Sequence, residues 1–241
     1  MSARQFAEHM RSHLARVAET NEEVLDRVAA KMLDVISSDG LIYVGGTGHS
    51  ISLMLESFYR AGGLACVQPL YHPGLLPLHG GEDSSLAEKT SGFARILVDR
   101  YHPTPSDLAF VFSNSGVNAV PVELADELHT NGTPVVAVVS MPHLTQAPLR
   151  GDHKIDAVAD FVIDTLVPYG DAAYPTADGA TTAGLSSLCG IYIWNLLLVR
   201  LADLAADKGV QLPIFTSSNV AGGAERNADL FKHYRQQVPL L

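Results

Sequence analysis

Five short apolar runs, separated by helical stretches, constrain the fold of this 241-residue chain more than any other feature. They are rich in β-branched residues and occur at Leu41–Val44, Leu64–Val67, Leu108–Phe112, Val135–Val139 and Phe161–Ile163. Continuous apolar runs that alternate with helices are typical of parallel strands covered by helices on both faces. The pattern therefore predicts an α/β fold with a doubly wound, five-stranded parallel sheet.

Helical periodicity fills most of the remaining chain. An apolar stripe at steps of three and four runs from Phe6 to Ile36, interrupted near Asn21, and predicts an N-terminal helical arm at residues 1–36. Further helices are expected near residues 51–61, 86–101, 117–130, 182–208 and 224–237, with a short strand at 214–216. The long helix is apolar on almost all sides, which is typical of burial in a core or a dimer interface. Since no linker or repeat divides the chain, residues 1–241 are expected to form one domain, with the α/β core and the C-terminal helix over 37–241.

The acidic charge balance limits the partners. The chain has 16 basic and 26 acidic residues, which gives a formal net charge of −10. Nucleic-acid binding needs Lys and Arg side chains to neutralise phosphates, so the balance argues against it. The arm at residues 1–36 has five basic and six acidic residues and is equally unsuited to reading DNA. A single small anion is still compatible, because amides at a helix N-terminus bind phosphate without a basic side chain.

Two further features bear on location. The N-terminal residues lack the uninterrupted apolar core of a signal peptide, and no apolar run reaches the ~18 residues of a membrane span. Cys66 and Cys189 lie in apolar stretches without metal-ligand spacing, which predicts buried, reduced thiols. We therefore expect a cytoplasmic protein that does not contact a membrane.

A glycine-rich turn, Gly-Gly-Thr-Gly-His-Ser at residues 45–50, follows the first apolar run and precedes a predicted helix. Such a turn permits close approach of backbone amides to a ligand. A dinucleotide-binding fingerprint would need glycine or alanine in place of Ile51 and an acidic residue after the second run, where Gln68 and Pro69 stand. There is also no Gly-Lys-Ser/Thr sequence of a nucleotide-binding loop. The turn fits a ligand-binding loop or ordinary turn chemistry equally well.

Two more small, hydroxylated segments precede predicted helices. Ser113–Gly116 follows the third apolar run, and Thr181 and Thr182 precede the long helix. Hydroxyls and free amides at a helix N-terminus suit a phosphate group, although Ser and Asn are also common N-caps. Because ligands of doubly wound sheets bind beyond the carboxyl ends of the strands, we expect the three segments to form one site for a phosphorylated, hydroxyl-rich ligand.

Four separated motifs occur in order along the chain: GTGHS…ESFYRAGG, FSNSGVN, FVIDT…GDA and SSNVAGGAERN. They resemble those of the sugar isomerase (SIS) phosphosugar-binding domain, and more closely a compact, single-domain bacterial group of that family, over about residues 1–238. The resemblance implies flavodoxin-like α/β subunits that form a homodimer or a larger homo-oligomer, with sites near the subunit interface.

The resemblance also implies roles for particular residues. The phosphate would be held by the second segment and a late threonine: Ser113, Asn114, Ser115, Asn118 and Thr181 or Thr182. The sugar would face the glycine-rich turn: Gly46, Thr47, Gly48 and Ser50. Zinc-dependent phosphoheptose isomerases of this kind carry histidine and glutamine ligands on a late helix, whereas residues 182–199 contain neither. We therefore expect no metal and no other cofactor.

Isomerases and lyases of the SIS family need a base that removes a proton next to a carbonyl or an imine. Glu56 is the first candidate, because it follows the apolar stretch 51–55, whose surroundings suit a general base; the alternative is an exposed helix glutamate. His49, within the turn, is either an acid–base group or a polar cap. The long loop after the second run supplies weaker candidates: His79, Glu82 and Asp83. Two late residues would reach a neighbouring subunit's site: Glu225 and His233.

The resemblance implies an enzyme that acts on an amino-sugar 6-phosphate such as N-acetylglucosamine 6-phosphate, because lyases and isomerases of the SIS family both act on such sugars. Proton abstraction next to C1 leads to an aldose–ketose isomerase or, when a β-substituent leaves, to a dehydratase or other lyase. The sequence does not decide between the two outcomes. The alternative is a non-catalytic phosphosugar-binding sensor or regulatory protein.

Overall fold

The computed structural model describes residues 2–241. Its α-helices are α1 (Ala3–Thr20), α2 (Glu22–Ser37), α3 (Ile51–Ser57), α4 (Gly81–Ala87), α5 (Phe93–Tyr101), α6 (Ala119–Thr130), α7 (Met141–Gln146), α8 (Ser186–Lys208) and α9 (Gly223–Tyr234). Its strands are β1 (Ile42–Gly46), β2 (Val67–Leu70), β3 (Leu108–Phe112), β4 (Val135–Val139), β5 (Phe161–Asp164), β6 (Ala172–Pro175) and β7 (Thr181–Gly184).

The first five strands form one parallel sheet in the order β2-β1-β3-β4-β5. Two groups of helices flank it: α2 and α3 pack against α8, and α5 packs against α6. The predicted doubly wound, five-stranded α/β fold is therefore confirmed. The strand order reverses between β1 and β3, and the crevice outside their carboxyl ends is where such folds bind ligands.

The central strands have the bounds that their apolar runs predict. Strands β3 and β4 occupy residues 108–112 and 135–139, and every residue in both is buried. Aromatic rings continue the core from the sheet into α8, where Phe110 meets Trp194 edge to face with ring centroids 5.3 Å apart. Burial on both faces explains why these strands show no alternation of polar and apolar residues.

The N-terminal helices pack on the body of the protein. Asn21 separates α1 from α2, at the predicted interruption. Its side chain both donates to and accepts from the backbone of Asp164, at the end of β5. The Asn21 amide donates to the carbonyls of Val17 and Asp164, and the Asn21 oxygen accepts from the Asp164 amide at 2.8 Å. The buried face of α2 then packs against α8.

The second strand lies three residues later than predicted, at Val67–Leu70 instead of Leu64–Val67. Pro69 within it has no amide to donate, which the strand tolerates because β2 is at the edge of the sheet. Leu64 instead forms an isolated antiparallel bridge with Ile214. The strand predicted at 214–216 is reduced to that bridge.

Two predicted helices differ from those observed. The helix expected at 86–101 is divided into α4 and α5, because Gly92 adopts a left-handed conformation with φ of +82° directly before α5. The helix expected from residue 182 begins at Ser186, since Thr181 and Thr182 form β7 of an antiparallel hairpin with β6. The other predicted helices agree to within a few residues at either end.

Helix α8 is long and apolar enough to cross a membrane by length and composition. It packs along α2 and α3, and its buried side chains include Trp194, Leu197 and Leu201. These contacts make it the central helix of the core. Both cysteines are buried and free, as predicted, and burial raises the pKa of each thiol to about 12.

Candidate functional site

A cleft of about 410 Å³ opens at the carboxyl ends of β1 and β3. We call it the strand-end cleft. Three segments and three isolated positions supply its walls: Thr47–Ser50, a part of 77–88, Ser113–Asn118, and His143, Asp171 and Ser186. Hydroxyl, amide, imidazole and carboxylate groups thus converge where the sheet topology positions a ligand.

The glycine-rich turn forms one wall. Gly48 has a φ of +57°, a conformation that suits glycine, and a short 3₁₀ turn follows it before α3. The Thr47 hydroxyl donates a 2.8 Å hydrogen bond to Oε2 of Glu88. The turn therefore holds a carboxylate that comes from a segment 41 residues later in the chain.

The Ser113–Asn118 loop forms the opposite wall, before α6. Gly116 has a φ of +63°, and a Cβ atom there would lie 2.7 Å from Leu144 and 2.8 Å from Ile155. The Gly116 amide donates to Oγ of Ser113 at 3.1 Å. The loop is thus tightly packed on its inner side, while the side chains of Ser115 and Asn118 line the cleft.

Glu88 joins the two walls. Its backbone carbonyl accepts a hydrogen bond of 3.0 Å from the amide of Val120, in the first turn of α6. Its carboxylate, as described, accepts from Thr47. One of the free amides at the N-terminus of α6 is therefore used by the protein itself, and the Glu88 side chain is fixed within the cleft.

His143 lies at the far side of the cleft. Its ring is in tilted contact with Tyr169, with centroids 4.8 Å apart, and its Nδ1 is 3.5 Å from the side-chain amide nitrogen of Asn114. Burial lowers the pKa of His143; the nearby Asp171 opposes this, and the charge of Arg150 adds to it. The imidazole is therefore neutral at pH 7 and able to take up or donate a proton.

Asp171 binds the N-terminus of α8. Its Oδ1 accepts from the amides of Leu185 at 3.1 Å and Ser186 at 2.8 Å, and its Oδ2 accepts from the Ser186 hydroxyl at 2.9 Å. A carboxylate in this position is stabilised by the helix dipole. All three bonds are structural, so Asp171 shapes the wall of the cleft.

The cleft brings together most of the residues that the sequence predicts to bind a ligand. These are Thr47, Gly48, Ser50, Ser113, Asn114, Ser115 and Asn118. Of the predicted acid–base groups, His49 also lines the cleft, with an exposed side chain on the turn. The predicted roles of these residues stay predictions, but their convergence is a property of the fold.

Other predicted residues lie elsewhere. Gly46 is the last residue of β1, buried beside Phe112. Thr181 and Thr182 are exposed on β7, so the expected third ligand segment at a helix start is absent from the described chain. His79 is exposed outside the cleft lining, as are Glu82 and Asp83 on α4 and Glu225 on α9. His233 is paired with Asp39 at 2.6 Å.

Glu56, the leading sequence candidate for the base, lies outside the cleft lining. Its carboxylate is paired with Arg60 one turn along, and it accepts a 3.3 Å hydrogen bond from the side chain of Asn195 on α8. Within the stretch before it, Ile51, Leu53 and Met54 are buried, but Leu55 is exposed. Glu56 is half-buried and meets α8 at Asn195. Its catalytic role stays a prediction.

Sequence reasoning did not single out six polar cleft residues. These are Ser84, Ser85, Glu88, His143, Asp171 and Ser186. His143 follows β4 and Asp171 follows β5, at the edge of the sheet where the strands have their carboxyl ends. Because ligands of such sheets bind beyond these ends, the sequence positions of both residues pointed to the site. Glu88 reaches the site through contacts distant in sequence.

A larger groove of about 530 Å³ lies between the end of α8 and α9. Its walls are mainly alanine and aliphatic side chains, with Arg226 and Asp229 at the rim. It lies away from the strand ends, so the smaller, polar cleft is the better candidate. Within residues 2–241, no group of three or more His, Cys, Asp and Glu side chains is placed to hold a metal ion.

Solved structures show the same fold. The phosphoheptose isomerase of Neisseria gonorrhoeae superposes with a TM-score of 0.53 at 19% identity, over 85% of this chain and 96% of the other. The phosphoheptose isomerase of Francisella tularensis gives 0.51 at 13% identity, over 84% and 100%. At these identities the likeness defines the class of fold: a flavodoxin-like α/β sheet with helices on both sides.

Sequence comparison defines the family. The SIS domain family model matches residues 5–140. A UPF0309 protein of Geobacillus kaustophilus is 31% identical over 98% of this chain and 96% of its own length, and one of Brucella canis is 35% identical over 90% and 92%. The chain belongs to the SIS domain family, as the motifs predicted.

Proposed function

We propose that the protein is an enzyme that binds a phosphorylated sugar in the strand-end cleft and removes a proton from the carbon next to C1. One observation supports this most directly: a carboxylate, Glu88, is held across the cleft from a loop of hydroxyl and amide groups. A phosphate on that loop and a base opposite it are the two elements that such a reaction requires.

The Ser113–Asn118 loop binds the phosphate in this proposal. The hydroxyls of Ser113 and Ser115 and the amide of Asn118 supply donors without a buried charge. The sugar then lies along the glycine-rich turn, against Thr47, Gly48 and Ser50. Glu88 acts as the base, and His143 or His49 is available to return a proton.

The proposed substrates are amino-sugar 6-phosphates. In glucosamine 6-phosphate, removal of the C2 proton and protonation of C1 give an imine at C2, and its hydrolysis by water yields the ketose and releases ammonia, which is the isomerase course. Loss of a hydroxyl or ether from C3 instead gives a dehydratase or another lyase. Both courses share the first step and the same cleft, and the protein carries them out in the cytoplasm.

The test is incubation with N-acetylglucosamine 6-phosphate and glucosamine 6-phosphate in deuterated water, followed by mass spectrometry. We expect solvent deuterium at C1 of a ketose product and at C2 of substrate that is recovered after reversal of the first step. With glucosamine 6-phosphate, a ketose phosphate that carries deuterium, formed with release of ammonia, identifies the isomerase; with either sugar, loss of one water identifies the dehydratase. Binding of these sugars without exchange or turnover would contradict catalysis and support the sensor.

We also propose that the face formed by α3 and α8 contacts a second copy of the chain. Exposed apolar side chains occur on α8 and in the segment at and just after the end of α3 that carries the Glu56–Arg60 pair: Leu55, Tyr59, Leu188 and Val199. The two charges compensate each other, so the patch can meet its own copy across a twofold axis without repulsion. Apolar exposure of this kind marks protein interaction sites.

Leu188→Glu is expected to convert the dimer into a monomer, because it introduces a charge into the apolar face of α8. Ile96→Glu is the matched control, since Ile96 is exposed on α5, which packs with α6 away from α8. Light scattering after size-exclusion chromatography gives the mass of each variant. A monomeric wild-type protein, or equal masses for wild type and Leu188→Glu, would contradict this interface.

A further inference from the structure

The charge of the strand-end cleft is unfavourable for the anion proposed to bind there. Two carboxylates, Glu88 and Asp171, line it, together with neutral hydroxyl and amide groups. None of the described residues in its lining is Lys or Arg. A phosphate dianion would therefore meet negative charge on two sides.

The N-terminus of α6 only partly offsets this charge. A helix N-terminus offers free amides and a positive dipole end to an anion. Here, however, the Val120 amide already donates to the backbone carbonyl of Glu88. The number of free donors is reduced at the place where the anion needs them.

Arg150 stands next to this loop. It is exposed, after α7, and its guanidinium donates a hydrogen bond to Oδ1 of Asn118. Its charge also extends into the cleft, because it contributes to the lowering of the pKa of His143 that burial chiefly causes. Arg150 therefore contacts Asn118 on one wall, and it is near enough for its charge to act on His143.

We propose that Arg150 is a binding residue that gives the cleft its selectivity for phosphorylated over unphosphorylated sugars. The inference rests on the proposed function. A guanidinium has five donors, so it can keep its bond to Asn118 and still donate to a phosphate oxygen. It supplies the positive charge that the lining itself lacks, from an exposed position beside Asn118 and outside that lining.

The test compares Arg150→Gln, Arg150→Lys and Arg95→Gln by calorimetric titration with inorganic phosphate, glucosamine 6-phosphate and glucosamine. Arg95 is the matched control: it is exposed on α5, paired with Asp99 at 3.5 Å, and its replacement changes the net charge equally. We expect Arg150→Gln to weaken the two phosphorylated ligands about tenfold and to leave glucosamine unchanged. Arg150→Lys should retain part of the affinity, and Arg95→Gln should retain all of it.

Ionic strength gives a second readout. Phosphate binding to the wild type should weaken with added salt, and this dependence should be smaller in Arg150→Gln because one charge is gone. Equal affinities and equal salt dependence in Arg150→Gln and Arg95→Gln would overturn the inference. If Ser115→Ala then weakens phosphate binding, the proposed phosphate loop stands without Arg150. Wild-type protein that binds neither phosphorylated ligand would overturn the proposed function and the inference together.

Discussion

Glu88→Gln is expected to abolish exchange of the substrate proton with solvent while sugar phosphate binding persists. The amide has nearly the shape of the carboxylate, and its oxygen still accepts the hydrogen bond from Thr47. It cannot accept a proton from carbon. Loss of a general base lowers turnover by roughly 10²- to 10⁴-fold. Deuterium incorporation and calorimetric titration with the same sugar phosphate measure the two effects separately.

Glu56→Gln is the matched comparison. It makes the same chemical change on α3, where the carboxylate is paired with Arg60 outside the cleft lining. We expect turnover close to that of the wild type. Loss of turnover in Glu56→Gln with full activity in Glu88→Gln would reverse the assignment and favour the base predicted from the sequence. Thermal unfolding of both variants shows whether either loss reflects misfolding.

Phe110→Ala is expected to cause the largest loss of stability among single core substitutions near the site. Phe110 is 0% exposed at the centre of β3 and contacts Phe112 and Trp194. Removal of a buried phenyl ring costs about 3–5 kcal/mol, because its apolar contacts are lost and the cavity only partly closes. Urea unfolding followed by circular dichroism measures the change.

Leu78→Ala is the control for this substitution. Leu78 is 88% exposed, so its truncation should change the free energy of unfolding by no more than about 0.5 kcal/mol. The single tryptophan, Trp194, reports on the same region, and its emission should shift in Phe110→Ala but not in Leu78→Ala. Similar losses of stability in both variants would contradict the packing described for β3.

The central sheet was predictable because its determinants are local. Buried parallel strands need continuous apolar residues, and β3 and β4 have the bounds of their runs. The edge strand was misplaced because residues 64–67 are the continuous apolar run, whereas the observed strand at 67–70 contains Gln68 and Pro69, and Leu64 is instead taken up by the bridge to Ile214. That bridge joins segments 150 residues apart, beyond the reach of periodicity.

The candidate site was predictable to the extent that it follows the strand ends. The two loops after β1 and β3 were identified because both combine small polar residues with a helix start. The threonines of β7 carry the same composition, but the hairpin with β6 removes them from the cleft. Composition alone does not distinguish a helix start from a turn into a strand.

Glu88 shows what sequence patterns miss. Its segment reads as an ordinary exposed helix, and nothing around it marks a functional carboxylate. Its position depends on Thr47, 41 residues earlier, and on Val120, 32 residues later. Glu56 occupies the more conspicuous sequence position, and only the packing of α3 against α8 shows that its carboxylate lies outside the cleft.

The bond between the Val120 amide and the Glu88 carbonyl has a consequence for the size of the substrate. It fastens the segment that carries the carboxylate to the helix that follows the phosphate loop. Under the proposed function, the loop that binds the phosphate and the carboxylate that removes the proton are therefore held at a fixed distance from each other. We expect sugars in which the phosphate and the carbon that loses its proton are separated by one bond more or fewer not to fit this distance.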